Sequence, residues 1–240
     1  MTGLPTISPV RAVVFDLDDT LYLERDYVRS GYAAVLESLG GRLADPRAAA
    51  EWMWQRFAAG QAAGMFGALN DQFALGLARR EIEVLVEVYR GHRPHIAPEA
   101  EAAAALAALR GRVKLGLLSD GFLPAQQLKL EALNLAGVFD AVLFTESLGR
   151  RFWKPDPTPF RLIAERLGIQ PAGCTYVSDN LAKDFVAPNA LGWRSLLWRR
   201  PGQVHADLAA PPGGQPQAVV HDHRQLLAAL GLEPGKGLCP

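Results

Sequence analysis

The sequence predicts an α/β fold, in which helices cover both faces of a parallel sheet and a helical block is inserted after the first strand. Short apolar runs that end in polar residues predict the strands. Continuously apolar runs of this length are typical of strands that are buried on both faces. The runs lie at residues 12–15, 113–118, 141–144, 174–177 and 194–198.

Helical segments stand between these strands. Leucines recur at helical spacing within residues 123–135, and a second helix at 157–167 has Asp156 as its predicted N-cap and Pro157 in its first turn. This strand–helix alternation implies right-handed crossovers and a parallel sheet. Three further features are predicted near the C-terminus: an edge strand at 218–220, a helix at 222–230 and a frayed tail at 233–240.

The segment 22–95 interrupts the alternation, because apolar residues continue at helical spacing through it without a clear strand. A plain crossover does not need a segment of this length, so we expect a small helical insert. The alternative is that these are ordinary helices packed on the sheet. The predicted division is a core of residues 1–21 and 96–240 with an inserted helical domain at 22–95.

Composition places the chain among globular proteins. Hydrophobic residues are 49%, and 25 basic residues balance 25 acidic ones, which excludes the composition of a disordered protein. No basic excess predicts a nucleic-acid partner, and no apolar run predicts a membrane span. Residues 1–9 lack a signal-peptide pattern, and Cys174 and Cys239 do not predict a disulfide. We therefore expect a cytoplasmic protein that is a monomer or a homodimer.

Carboxylates follow two of the predicted strands, at the sheet edge where open parallel sheets bind ligands. Asp16 and Asp18 come directly after the first strand, and Asp179 and Asp184 come after the fourth, beside Asn180. Crowded carboxylates repel one another unless a cation or a turn compensates. Each cluster alone could be a capping turn. Asp179 and Asp184 could instead hold a hard divalent cation together with Asp16, and Mg²⁺ is such a cation, since it takes one or two protein carboxylates with water and phosphate.

Groups that can bind an anion follow the second and third predicted strands. Ser119, Asp120 and Gly121 combine a hydroxyl with backbone N–H groups at a helix start, which can bind phosphate. Lys154 lies beside a proline-stiffened turn and offers a compact positive charge. Each could also be ordinary turn or loop chemistry. As a loop residue, Lys154 is expected to add little to packing.

In their order along the chain these motifs resemble those of the haloacid dehalogenase superfamily. Residues 16–20 are similar to its first motif, Ser119 to its second, Lys154 to its third, and Asp179 with Asp184 to its fourth. The resemblance covers nearly the whole chain and implies a Rossmann-like core. The helical insert is similar to the cap of the family's first subclass. One departure is that Ser precedes the Asp of the fourth motif, where many members have Gly.

The resemblance implies a Mg²⁺-dependent phosphatase that acts on a small phosphorylated metabolite through an aspartyl-phosphate. Asp16 is then the nucleophile, and Asp18 is the general acid and base. Ligands for Mg²⁺ are the Asp16 carboxylate, the Asp18 backbone carbonyl and Asp179. The implied phosphate-binding residues are Ser119, Asp120, Gly121 and Lys154, of which Lys154 is also catalytic. The resemblance implies that Asp184 and Asn180 contact Lys154 or the metal ligands rather than the substrate.

Other activities remain open at this stage. Dehalogenases of the family lack an acid two residues after the nucleophile, because a halide leaving group needs no proton, so Asp18 favours phosphoryl transfer. A phosphomutase uses the same acid. A hypothesis that does not involve an enzyme is that the protein is a catalytically idle member of the family, which binds a partner through its cap. The turn at Gly64–Gly67 is expected to face the site, and its low charge suggests a small or partly apolar leaving group.

Overall fold

The structure, a computed structural model, describes residues 9–233. Within them a single six-stranded parallel sheet has the strand order β3-β2-β1-β4-β5-β6, which confirms the predicted α/β fold. The predictions for residues 1–8, for Cys239 and for the tail from residue 234 lie outside the described residues. The strands are β1 (Ala12–Phe15), β2 (Lys114–Ser119), β3 (Ala141–Phe144), β4 (Cys174–Ser178), β5 (Arg194–Trp198) and β6 (Ala218–Val220).

The central strand β1 is buried on both faces, as its apolar run predicts. Val13 and Phe15 pack into the apolar cluster on one face of the sheet, and Ala12 and Val14 pack into the cluster on the other. This follows from the alternation of side chains along a strand. Helices complete both layers, so the sheet is covered on each side. The first cluster includes side chains from α5 (Ala100–Leu109), α6 (Ala125–Ala132) and α9 (His223–Leu230), and the second includes α7 (Thr158–Leu167) and α8 (Val186–Ala190).

Several predicted bounds move by one or more residues. Strand β2 begins and ends one residue later than predicted, and β4 ends one residue later, so Ser119 and Ser178 are the last residues of their strands. Helix α6 is shorter than predicted, because Asn134 adopts a left-handed conformation with φ 55° just after it. At the start of α7, the Asp156 carboxylate accepts a hydrogen bond of 2.8 Å from the Thr158 backbone N–H.

The inserted segment consists of helices with an apolar cluster of their own. Helix α1 packs closely on α4 at Gly31, where an added Cβ would lie 2.4 Å from the Tyr89 ring. The close approach therefore requires glycine. The domain boundaries at 21/22 and 95/96 stay a prediction. The four helices are α1 (Glu24–Leu39), α2 (Pro46–Ala58), α3 (Met65–Gln72) and α4 (Arg79–Gly91). No helix between residues 9 and 233 combines the length and apolarity needed to cross a bilayer.

Candidate active site

Polar residues at the ends of the three central strands lie together at one edge of the sheet. Strand β1 lies between β2 and β4, with Phe15 in register with Leu117 on one side and Val177 on the other. Asp16 continues this pairing, because its backbone N–H donates to the Val177 carbonyl at 3.0 Å. The residues that follow the three strands therefore meet at their carboxyl ends, as parallel pairing requires.

An acidic group forms the centre of this edge. Carboxylate oxygens of Asp16, Asp179 and Asp184 lie within 4.8 Å of one another, and all three residues are buried. Burial raises the pKa of Asp16 to about 7, against the charge of Lys154. Burial and the charges of Asp16 and Asp184 raise the pKa of Asp179 well above its usual value. Such a cluster is costly unless a positive charge compensates.

This acidic group fits a divalent metal ion. Thr20 donates to one Asp179 oxygen at 3.2 Å, whereas the other oxygen, Oδ2, is buried without a hydrogen-bond partner in the described part of the chain. Hard oxygen donors with a free carboxylate lone pair suit Mg²⁺. Asp16 and Asp179 supply such donors. Asp184 belongs to the same acidic group, although the sequence predicts that it supports the metal ligands or Lys154 rather than lying among the ligands.

Lys154 lies inside the acidic group rather than on a solvated loop. Its Nζ is 2.7 Å from Asp16 Oδ1 and 3.0 Å from Asp184 Oδ1, and it donates to the Tyr176 hydroxyl at 2.9 Å. Burial opposes its charge, but the two carboxylates raise the pKa of Lys154 well above its usual value. The expectation that Lys154 adds little to packing is wrong, since its side chain is 0% exposed and compensates two buried carboxylates.

Asp184 is held in place from the end of β4. Its second carboxylate oxygen accepts a short hydrogen bond from the Ser178 hydroxyl, and the first faces Lys154. Ser178 is the residue at which the sequence departs from the family's more usual glycine. Its hydroxyl therefore has a role that glycine could not provide, and the sequence did not reveal it.

Asp18 is held in the carboxylate form by partners that sequence reasoning missed. Lys129 Nζ lies 2.7 Å from Oδ1, Gln126 donates to Oδ2 at 2.8 Å, and the Tyr22 hydroxyl also donates to Oδ1. Burial would raise the pKa of Asp18, but Lys129 and these hydrogen bonds lower it below its ordinary value. Gln126 and Lys129 are three positions apart on α6, so the pattern of two polar residues on one helical face was the available signal.

The end of β2 carries the predicted phosphate-binding residues. The Ser119 hydroxyl is buried and accepts a hydrogen bond of 2.8 Å from Gln126. Gly121 has φ 137°, and an added Cβ would lie 2.6 Å from the Gln126 side chain, so this turn requires glycine. The Asp120 carboxylate binds Lys183 Nζ at 3.0 Å. A phosphate contact at residue 120 therefore has to come from its backbone N–H.

A cavity of about 380 Å³ opens above these residues. Ser119, Lys154 and Asp184 are buried and do not line it. Asn180 does line it, and its side-chain oxygen accepts a hydrogen bond of 3.0 Å from the Ala182 backbone N–H, which orders the turn after β4. Of the predicted site residues, the cavity brings together Asp16, Asp18, Asp120, Gly121, Asp179 and Asn180.

The sheet order defines a Rossmann-like α/β fold with an acidic site at the carboxyl ends of its central strands. Residues 10–192 match the family described as haloacid dehalogenase-like hydrolase, and the chain belongs to that family. It is 30% identical to a phosphoserine phosphatase from Thermus thermophilus, over 93% of this chain and 100% of the relative. It is also 28% identical to the human N-acylneuraminate-9-phosphatase, over 80% of this chain and 83% of the relative.

A solved structure agrees with the fold. It is a HAD family hydrolase from Deinococcus radiodurans with bound phosphate and sodium, which is 25% identical and superposes with a TM-score of 0.67. The match covers 95% of this chain and 99% of that chain, so it includes the helical insert as well as the sheet.

Proposed function

We propose that the protein is a Mg²⁺-dependent phosphatase that hydrolyses the phosphate monoester of a small metabolite through an aspartyl-phosphate. The observation that carries this proposal is the second acid: Asp18 lines the same cavity as Asp16 and is held there by Lys129 and Gln126. An alkoxide leaving group needs a proton, and a halide does not. The relatives named as phosphatases support the same choice.

In the proposed mechanism an Asp16 oxygen attacks phosphorus, and the bond from phosphorus to the leaving oxygen breaks. Lys129 and the hydrogen bonds to Asp18 favour its carboxylate form, so Asp18 first takes up a proton from solvent. It then gives this proton to the leaving oxygen, so an alcohol departs and an aspartyl-phosphate forms on Asp16. Asp18 then takes a proton from water, and the water oxygen attacks the same phosphorus. The bond from phosphorus to Asp16 breaks, which releases inorganic phosphate. Lys129 and Gln126 stabilise the carboxylate form of Asp18 that activates this water.

The surrounding residues hold charge in place. Lys154 offsets the charges of Asp16 and Asp184, which lets the anionic nucleophile meet an anionic phosphate. The backbone N–H groups near Gly121, which lines the cavity, are assigned to the transferring phosphoryl group, and the buried Ser119 hydroxyl supports this turn through its hydrogen bond from Gln126. Mg²⁺, held by Asp16, the Asp18 carbonyl and Asp179, supplies electrostatic stabilisation of the phosphoryl oxygens when it is bound.

The test is a phosphatase assay with a generic aryl phosphate, run with Mg²⁺ and with excess chelator. We expect turnover only with Mg²⁺, and full activity in chelator would contradict the metal assignment. Thermal unfolding gives a second readout, since a ligand at 100 times its Kd stabilises by about 2.7 kcal/mol. Mg²⁺ should raise the Tm of the native chain, and Asp179→Asn should lose this shift. Failure to hydrolyse any phosphate ester would favour a catalytically idle member.

The remaining expectations belong to the same proposal. Residues 22–95 act as a cap over the cavity, because Glu24, Val86 and Tyr89 from α1 and α4 line it together with the core residues. The partner is a small molecule rather than a nucleic acid or a membrane, in keeping with the neutral net charge. A cytoplasmic monomer or homodimer is proposed, which size-exclusion chromatography with light scattering would test.

A further inference from the structure

A second cavity of about 360 Å³ lies within the inserted helices. Side chains from all four helices, with the turn that precedes α3, form its walls. The Gly64–Gly67 segment, which the sequence singled out for its low charge, was expected to be a turn, but only Gly64 precedes α3, and Met65, Phe66 and Gly67 form the first turn of that helix. The walls include the apolar or aromatic side chains of Val28, Tyr32, Phe57, Phe66, Ile82 and Val86.

This cavity adjoins the catalytic one. Glu24, Val86 and Tyr89 line both cavities. Tyr89 is fixed between them, because its ring packs against Gly31 and lies 5.7 Å, centre to centre, from the Phe66 ring. The shared walls place the second cavity next to the one in which the phosphate is proposed to bind.

The chemistry of the second cavity selects an apolar group. Among the described residues, Glu24 is the only charged side chain that lines it. The Glu24 carboxylate lies where the two cavities meet, which we call the junction, and it is 3.6 Å from His205 Nε2. Beyond the junction the walls offer no cation to pair with a carboxylate or a second phosphate. An apolar cavity of about 150 Å³ is enough to bind benzene, so this one accommodates a ring with a short chain.

We propose that the second cavity is a leaving-group subsite that binds an uncharged aromatic or branched aliphatic group. The substrate class is then the phosphate monoester of an alcohol with an apolar body. This inference rests on the proposed phosphatase function for its chemistry. The cavity itself is defined by residues that take no part in phosphoryl transfer, so the two can fail separately.

Gly67 is the position at which the subsite can be filled. It lines the cavity within α3, has no left-handed φ, and an added Cβ meets no atom within 4 Å. Gly67→Phe therefore places a ring in the cavity without backbone strain. Gly41→Phe is the matched control, because Gly41 is exposed, lies in the same insert, and an added Cβ also meets no atom within 4 Å.

The experiment compares kcat/KM for ethyl phosphate and for 2-phenylethyl phosphate, which share the reacting atoms. We expect the native chain to favour the phenylethyl ester by about 100-fold, the scale of discrimination that a pocket gains from added apolar contact. Gly67→Phe should reduce this preference at least about tenfold. Gly41→Phe should keep it. Equal kcat/KM for the two esters in the native chain, or an unchanged preference in Gly67→Phe, would overturn the subsite.

A binding measurement separates the subsite from the reaction. The product 2-phenylethanol, titrated by NMR into the native chain, should shift signals of the methyl groups that line the second cavity, and Gly67→Phe should lose these shifts. Hydrolysis of ethyl phosphate without any preference would refute the subsite alone. Binding of 2-phenylethanol with no hydrolysis of any ester would refute the phosphatase function and keep an apolar ligand site.

Discussion

The sheet edge and the adjoining cap cavity are built from opposite kinds of residue. At the edge, the fully buried Lys154 lies between Asp16 and Asp184, and Asp179 lies beside these two carboxylates, so one positive charge compensates part of the charge of three acidic groups. In the second cavity, apolar walls enclose a space whose only charged lining residue, within 9–233, is Glu24. The edge depends on mutual compensation, whereas the cavity depends on shape and the exclusion of charge.

This difference predicts different consequences for substitutions. A change at the edge removes one member of a compensated set, so it alters the reaction and the stability of the chain together. A change in the apolar cavity alters which leaving group fits and leaves the reacting atoms in place. Substitutions at the edge should therefore have the largest effects, and those at the junction the smallest.

The largest effect is expected at the two carboxylates nearest the reaction. Asp16→Asn should lower kcat by more than ~10⁴-fold, because the nearly isosteric amide cannot act as nucleophile. The fold should survive, since Lys154 keeps Asp184 as its partner. Asp18→Asn keeps the nucleophile but removes the acid and base, so hydrolysis of the phospho-enzyme should slow most.

Intact-protein mass spectrometry after mixing with an activated aryl phosphate separates these roles. We expect a phosphoryl adduct on the Asp18 variant and none on the Asp16 variant. The reverse pattern would mean that nucleophile and acid have been exchanged. Native activity in both variants would remove the sheet edge from the chemistry.

The next effect is expected at Lys154. Lys154→Met should lower kcat/KM by roughly 10²–10³-fold, the range found when one group that stabilises transition-state charge is removed. It should also lower the free energy of unfolding by about 3 kcal/mol, because two buried carboxylates lose their partner. Activity assays and urea denaturation measure the two losses on the same sample.

Lys114→Met is the matched control for this variant. Lys114 also lies 2.7 Å from a carboxylate, that of Asp140, but both side chains are substantially exposed. Exposed pairs contribute ~0.2–1 kcal/mol, so we expect little change in stability and none in activity. Equal stability losses in the two lysine variants would contradict the compensated acidic group.

The contrast between the two regions also explains what the sequence could predict. Asp16, Ser119 and Asp179 each lie at or directly after the end of a continuously apolar strand, and parallel pairing brings such ends together whatever else the chain does. The strands and the sheet edge could therefore be derived from local patterns. The burial of Lys154 could not, because it depends on a loop folding beneath Asp16.

Partners that come from distant segments were also beyond local patterns. Lys129 reaches Asp18 across 111 positions of sequence, and the spacing of Gln126 and Lys129 indicates a polar face of α6 without specifying which residue that face contacts. The second cavity is formed by four helices, and the pattern of apolar residues in each helix indicates only ordinary packing against its neighbours. Only the low charge of Gly64–Gly67 pointed to it, because an unfilled volume leaves no pattern of its own in a sequence.

The smallest expected effect is at Glu24, where the two regions meet. Burial and the charge of Asp18, opposed by Lys129, raise the pKa of Glu24 from 4.5 to about 7. The carboxylate therefore gains its charge as pH rises from 6 to 8. Repulsion between Glu24 and a substrate carboxylate should grow over that interval. The ratio of kcat/KM for propyl phosphate to that for phosphoglycolate should therefore rise about threefold, which is the effect of two charges a few ångströms apart in a solvent-exposed site.

The ratio of the two kcat/KM values is the measurement, because ionisation of the shared phosphate group largely cancels in it. Glu24→Gln should abolish the pH dependence of this ratio, since the amide carries no charge at either pH. One cation works against the effect: Arg90 lines the catalytic cavity, with its guanidinium 3.5 Å from the centre of the Phe122 ring. A preference for phosphoglycolate at both pH values would show that the cations lining the cavity, Arg90 among them, and not Glu24 set the charge that is selected there.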